Sequence, residues 1–252
     1  DYAYSHDMQI LIHAIGDKAA DMVCTAYENT IEKFGKKEKR LAINHLQIVS
    51  DDLFDRMKAN DILAFIQPIF VASDKKIIAS LVGEEVAQRS YLWKTMLKKG
   101  LICCGGSDAP VERFDVLENI QVAVTRDALH EKTEGWHPQE KLSVLEALRM
   151  FTISNAYASF DEQNKGSLEI GKAAELVLLS NDPFTTDAHS IAQIQVLKTY
   201  VDGKEVTNQN IFTTLKTSDI AKIEIEREPS AKYPAGTNAV INIITIKPLK
   251  DF

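Results

Sequence analysis

The arrangement that most restricts what this chain can fold into is an alternation: a short apolar run followed by a longer stretch with helical spacing, repeated from the N-terminal end. QILIHA at 9–14 is apolar. Residues 17–34 follow with Ala20, Val23, Cys24, Tyr27 and Ile31 on one helical face and stop at Gly35, a natural C-terminal cap. LAINHL at 41–46 repeats the pattern, and the segment after it starts at Ser50, a candidate N-cap, with Asp51 and Asp52 against the positive end of the helix dipole. LAFIQ at 63–67 is a third apolar run before Pro68, a helix is expected over 84–99 ending at Gly100, and residues 101–104 form the fourth run. Strands separated by helices pair in parallel through right-handed crossovers, so the class is α/β, a layer or a barrel and not a sandwich.

The grammar then changes. Residues 115–129 and 143–160 both read as helical, with no strand between them. AAELVLLS at 173–180 reads as a strand, and VLKTYVDGKEV at 196–206 reads as a hairpin whose Asp202-Gly203 pair suits a type I′ turn. A boundary is expected near Thr207. Beyond it, IAKIEIERE and AVINIITIK are β-prone runs around the turn-rich PSAKYPAGTN.

Composition narrows the class of partner. With 252 residues, 45% of them hydrophobic, the chain is long enough to bury roughly 70–75% of its unfolded surface. A formal net charge of −7 with dispersed Lys and Arg speaks against a nucleic-acid footprint, so no DNA or RNA partner is expected. Cys24, Cys103 and Cys104 form no CxxC pair and read as small buried hydrophobes. No apolar run reaches the roughly 20 residues of a transmembrane segment. The opening DYAYSHDMQI, which starts with Asp1 and not with Met, reads as cut from something longer, so the compartment stays open, with the cytoplasm favoured over the periplasm.

In a parallel α/β sheet, chemistry gathers at the C-terminal ends of strands, where loops aim several side chains at one point. His13 ends the first run, His45 the second, and Asp108 follows the fourth. Neutral imidazole and carboxylate are the usual ligands of zinc and similar divalent ions, and a carboxylate beside such an ion can take a proton from water and return it to a leaving amine. Asp108 is therefore a candidate for both metal ligand and catalytic base. Taken singly, each residue has a duller reading: a lone strand-end histidine is more often structural than a ligand, and an aspartate after Gly-Gly-Ser commonly caps a helix. Joint placement at equivalent ends of successive units favours a shared site.

Other positions carry less. Gln67, before Pro68, either hydrogen-bonds a substrate or ties down a loop, and Arg126 in AVTRDAL either faces the site or is a solvated helical residue. Both are candidate substrate contacts. His6, His130, His137 and His189 read as surface or turn histidines. GSLEIGKAAE does not fit a phosphate loop.

HAIGDKA around His13, INHLQIVSDD around His45, QPIFVASD, VGEEVAQRSYLWKTMLKKG, GGSDAPVE around Asp108, AVTR, and KGSLEIGKAAELVLLSNDPF together resemble the C-terminal part of amidohydrolase family 3, metal-dependent hydrolases that include N-substituted formamide deformylases. The resemblance runs from about Gln9 to Val206. It implies the C-terminal half of a TIM barrel, strands five to eight, followed by strands of a small β-sandwich and a β-hairpin tail. The organisation becomes a partial barrel over 1–165, sandwich strands over 166–207 and a β-rich tail over 208–252. His13 and His45 become the metal-binding histidines of the fifth and sixth strands, and Asp108 the eighth-strand aspartate that binds metal or water and shuttles the proton. The implied activity is hydrolysis of a non-peptide C–N bond in a small amide or formamide, with a divalent metal, zinc, as cofactor.

Departures set against this match define the alternative. Family members open with a strand bearing a His-x-His pair, and this chain contains no HxH. Four strand–helix units are half a barrel, which would expose two edge strands and invite pairing with a separate N-terminal half or with a second copy in a homo-oligomer. The competing expectation is a non-catalytic remnant or interaction module that needs such a partner. The tail, with "PSAKY" and "INIIT", is similar to part of the plug of TonB-dependent outer-membrane receptors.

Overall fold

The computed structural model describes residues 1–50 and 52–206 and, as backbone strands, 220–226 and 240–245. The chain begins with a one-turn helix α1 (Tyr2–Ser5), then β1 (Leu11–Ala14) and α2 (Asp17–Phe34), β2 (Ala42–His45) and α3 (Leu53–Ala59), and β3 (Leu63–Ile66). Short helices α4 (Phe70–Asp74), α5 (Ile78–Val82), α6 (Glu84–Ala87) and α7 (Trp93–Lys98) lead into β4 (Cys103–Gly105). The four strands form one sheet, parallel as the alternation predicts, in the order β1-β2-β3-β4. Apart from Asn44 and His45 at the end of β2, strands β2 to β4 are apolar on both faces, one packed into the main core and the other into a smaller cluster of Ala42, Leu63, Cys104 and Ala158. All three cysteines are buried and unpaired, and burial pushes the Cys24 thiol up to about 11 and that of Cys104 up to about 12, as expected of inert apolar packing.

Several local expectations change on contact with tertiary structure. Helix α3 begins at Leu53 with Asp52 at the N-cap position, and Ser50 contributes only its carbonyl, to the Leu53 amide at 3.3 Å. The single helix expected over 84–99 is two, α6 and α7. Between them Ser90 forms a β-bridge with Ile48, the Tyr91 amide donates to the Gln47 carbonyl at 2.8 Å, and Tyr91 takes a left-handed φ of 56°. Those backbone groups are committed to the neighbouring segment and cannot also close helical turns.

The second half contains α8 (Val116–Thr125), a 3₁₀ turn at Pro138–Glu140, α9 (Val144–Met150) and α10 (Ile153–Ala158). Asp115 caps α8 by accepting from the amides of Leu117 and Glu118, and Ser143 with Glu146 forms a capping box on α9. The helix expected over 143–160 is broken at Phe151–Thr152, where Phe151 packs so closely on Gly105 that a Cβ there would lie 2.7 Å from its ring. An open half-barrel was expected to have two bare edges. Only β1 is bare: Leu11 is 49% exposed, whereas every residue of β4 is buried and the Asn155 side chain of α10 donates to the Gly105 carbonyl at 3.0 Å.

Strand β5 (Leu176–Leu179), a 3₁₀ stretch at Ala188–Gln193, β6 (Val196–Val201) and β7 (Lys204–Glu205) complete the main body. Strands β5, β6 and β7 form a separate antiparallel sheet, and the β6–β7 turn has φ 50° at Asp202 and 72° at Gly203, the double left-handed geometry of type I′. The 3₁₀ stretch anchors to the larger body: Ile191 and Ile194 join its core, and the Ala192 amide donates to Gln121 of α8 at 2.9 Å. In the tail, β8 (Ile220–Glu226) and β9 (Val240–Thr245) pair antiparallel, while the PSAKYPAGTN loop lies outside the described residues. Among the described residues no helix is long and apolar enough to cross a membrane.

Candidate active site

The C-terminal ends of β1, β2 and β3 deliver His13, His45 and Gln67 to one place. Register pairs His13 with Asn44 and Ala14 with His45, so the two histidines stand one step apart on adjacent strands. Strand alternation alone would aim them to opposite faces. The backbone turns instead: His45 has φ 83° and Leu46 φ 48°, both in the left-handed region that non-glycine residues avoid, and the two imidazoles meet edge to face with centroids 4.5 Å apart. Strain of this kind persists only where surrounding bonds enforce it, and here the Leu46 amide donates to the Ala14 carbonyl at 3.0 Å.

A closed amide network orients His45. Its Nδ1 lies 3.0 Å from Gln67 Oε1, the Gln67 Nε2 donates to Asn44 Oδ1 at 2.8 Å, and Asn44 Nδ2 lies 3.1 Å from His45 Nε2. A carbonyl oxygen can only accept, so Nδ1 carries the proton and Nε2 presents its lone pair to Asn44. Asn44 was not among the residues singled out in the sequence, although its position directly before His45 in INH was the available signal. His45 is 4% exposed, and burial followed by the nearby His13 pushes its pKa below the ordinary 6.5, against the opposing pull of Asp108 and of the Gln67 hydrogen bond.

Asp108 sits on the exposed loop after β4, in the left-handed conformation (φ 57°), and its carbonyl accepts from the Val111 amide at 2.9 Å. Its charge is felt at His45. It does not close around the two imidazoles: among the described residues no three His, Cys, Asp or Glu side chains stand together as a metal-holding group.

Arg126 is placed differently from the other candidates. It ends α8 at φ 60°, is 0% exposed, and lies between the rings of Trp93 and Trp136 at 4.4 and 5.2 Å. Its Nη1 donates to the Tyr91 carbonyl and its Nε to the Trp136 carbonyl, both at 2.8 Å, and Nη2 has no hydrogen-bond partner. His137, expected at the surface, is also buried; it stacks on Trp136 and neither ring nitrogen is hydrogen-bonded. Burial, then the Arg126 charge, lowers its pKa from 6.5. A histidine with a depressed folded-state pKa contributes stability that is present above the unfolded value and lost as pH falls through the folded one. Metal-free protein is therefore expected to lose stability as pH falls below about 6.5, and His137→Asn, which tolerates the left-handed backbone, to show a shallower dependence of the urea midpoint on pH. An identical slope in the variant would remove His137 as the cause.

Set beside known proteins, residues 1–207 match a family model described as "Amidohydrolase family". The chain is 36% identical over 204 residues to the protein LONG AFTER FAR-RED 3 of Arabidopsis thaliana, covering 79% of this chain and 34% of that protein. It is 29% identical over 197 residues to an N-substituted formamide deformylase of Arthrobacter pascens, covering 78% and 36%. Among solved structures, an uncharacterized metal-dependent hydrolase from Pyrococcus furiosus superposes with a TM-score of 0.61 at 32% identity over 73% of this chain and 36% of that one. The chain thus spans about a third of the length of the relatives it matches.

Proposed function

The chain belongs to the amidohydrolase family, and on that premise we propose that it is the part of a C–N hydrolase, corresponding to the last four strands of a TIM barrel, that carries two metal-binding histidines and the proton-shuttling aspartate. The observation that carries this reading is the meeting of His13 and His45 at the ends of adjacent parallel strands, with the Asp108 charge acting on His45. Two imidazoles and a carboxylate are the donor set that zinc favours. The pair fits such an ion only as part of a larger set, because no three-ligand group exists among the described residues. The remaining ligands come from outside them.

In this reading His13 and His45 would hold a divalent ion through ring nitrogens; for His45 that nitrogen would be Nε2, since Nδ1 donates to Gln67, and the Asn44 amide, which donates to Nε2 in this structure, would have to turn away to free the lone pair. Such an ion supplies Lewis acidity and lowers the pKa of water. Gln67 acts by keeping His45 in one tautomer. The Asp108 carboxylate takes a proton from the attacking water and passes it to the departing nitrogen, so that the C–N bond of a small amide or formamide breaks with a neutral amine leaving. The sequence similarity to a formamide deformylase supports that substrate class. Arg126 is enclosed at 0% exposure, and its one guanidinium nitrogen without a partner, Nη2, is buried too, so its part in this reading is to hold the Tyr91 and Trp136 carbonyls.

Zinc binding tests the reading. We expect His13→Ala and Asp108→Asn each to weaken zinc affinity by about tenfold or more in calorimetric titration. Unchanged affinity in both variants would overturn it. The second reading, a module that functions only against a partner, draws on the apolar side chains left at the surface of the small sheet: Val177, Leu178, Val196 and Leu197 are each about half exposed. Absence of any zinc binding, together with concentration-dependent association in sedimentation velocity, would favour that alternative.

A further inference from the structure

A cavity of about 250 Å³ lies beside the candidate active site, walled by the segments that follow Gln67 and Asp108 and by α8. Ile69, Ala72 and Leu129 form its apolar side; Glu112, Glu118, Arg113 and His130 form its polar side. Glu118 is the anomaly. It is 7% exposed, its Oε2 has no hydrogen-bond partner, and its Oε1 meets only Arg113 at 3.2 Å, a side chain itself 75% exposed. Desolvation pushes the Glu118 carboxyl up from its ordinary value, and Asp115 and Glu112 push it further, against Arg113 and His130. A carboxylate oxygen buried without a donor is costly, and natural folds keep such groups where a ligand supplies the missing bond.

The walls select the ligand. Glu112 adds a second carboxylate, held by Ser73 Oγ at 3.3 Å, which makes the lining net acidic even with Arg113 counted. Glu112, Glu118 and His130 do not form a metal-holding group among the described residues, and the opposite wall is hydrocarbon. We propose that this cavity binds a small primary alkylammonium ion, its head donating to Glu118 Oε2 and its alkyl chain lying against Ile69, Ala72 and Leu129. Head and tail then each meet complementary surface, which neither a bare metal ion nor a neutral alcohol achieves.

The site stands apart from the metal reading, so the test uses metal-free protein. n-Butylammonium is titrated into the full chain and followed by NMR through the methyl signals of Ala72 and Leu129, with 1-butanol as the neutral control. Saturable shifts are expected for the ammonium and not for the alcohol. Glu118→Gln should weaken binding by about tenfold or more, and Arg113→Gln, which removes the cation already seated on Glu118, should strengthen it. Glu118→Gln is isosteric and relieves a buried charge, so it should fold; Arg113→Gln provides an independent arm at an exposed position. Equal binding by the alcohol, unchanged affinity in Glu118→Gln, weaker binding in Arg113→Gln, or no saturable shift in wild type would each overturn the proposal.

Discussion

Replacing Arg126 by alanine is expected to cost about 3 kcal/mol of folding stability, read as a lower urea midpoint, through an indole-lined void and two carbonyls that each lose a guanidinium donor, one of them keeping the Trp93 amide at 3.0 Å. The carbonyls are those of Tyr91 and Trp136, and the void opens between Trp93 and Trp136. One term opposes the loss. Burial holds the guanidinium down at about 10, against the pull of Glu140 and Tyr91, so at neutral pH a desolvated cation is being kept in the interior. Removing it returns that cost. Arg126→Met separates the two effects, since it refills most of the volume but restores no hydrogen bond. If packing and hydrogen bonding dominate, Met should recover only part of the alanine loss; if desolvation dominates, Met should match or exceed wild type. An alanine variant within about 0.5 kcal/mol of wild type would show that the site collapses around the gap.

Gly135→Ala should be at least as damaging, by about 3 kcal/mol or more, because two penalties coincide. Gly135 has φ 80°, where any side chain is strained, and a Cβ there would lie 2.1 Å from the Thr125 carbonyl oxygen, which belongs to backbone and cannot move aside. Gly83 is the control. Its φ of 84° is similar but nothing lies within 4 Å of its Cβ position, so Gly83→Ala should cost only the conformational strain, about 1 to 2 kcal/mol. Equal losses at the two positions would mean that backbone strain alone is responsible. Gly135 and Arg126 belong to one loop, in which the Trp136 amide donates to the Arg126 carbonyl at 2.9 Å, so a double variant should lose less than the sum of the single ones.

Residues around this loop show where sequence reading reaches its end. Arg126 in AVTRDAL has the local look of a helical surface residue, and His137 that of a loop histidine, yet both are interior. The partners that enclose Arg126, Trp93 and Tyr91, are distant along the chain and come from a segment whose own helix breaks there, and Trp136, on which His137 stacks, packs against the same Tyr91. Glu118 is similar: its place in the first turn of α8 reads as favourable charge near a helix N-terminus, and only the packing of Ile69 and Leu129 against the same cavity makes its second oxygen an orphan.

The strand–helix alternation determined the parallel pairing and the ends at which polar residues surface, since hydrophobic periodicity and glycine stops act over a few residues and are written in each run separately; the sequential order of the strands came from the tertiary structure. Capping at Asp115 and Ser143 belongs to the same local code. Only the tertiary structure decided that His13 and His45 face each other. Their positions one register step apart point them to opposite sides of a pleated sheet, and the left-handed turn at His45 and Leu46 that reverses this is held by bonds to β1 and to Gln67 on β3. A backbone conformation that no residue at that position prefers by itself can be imposed only by neighbours brought there by the fold.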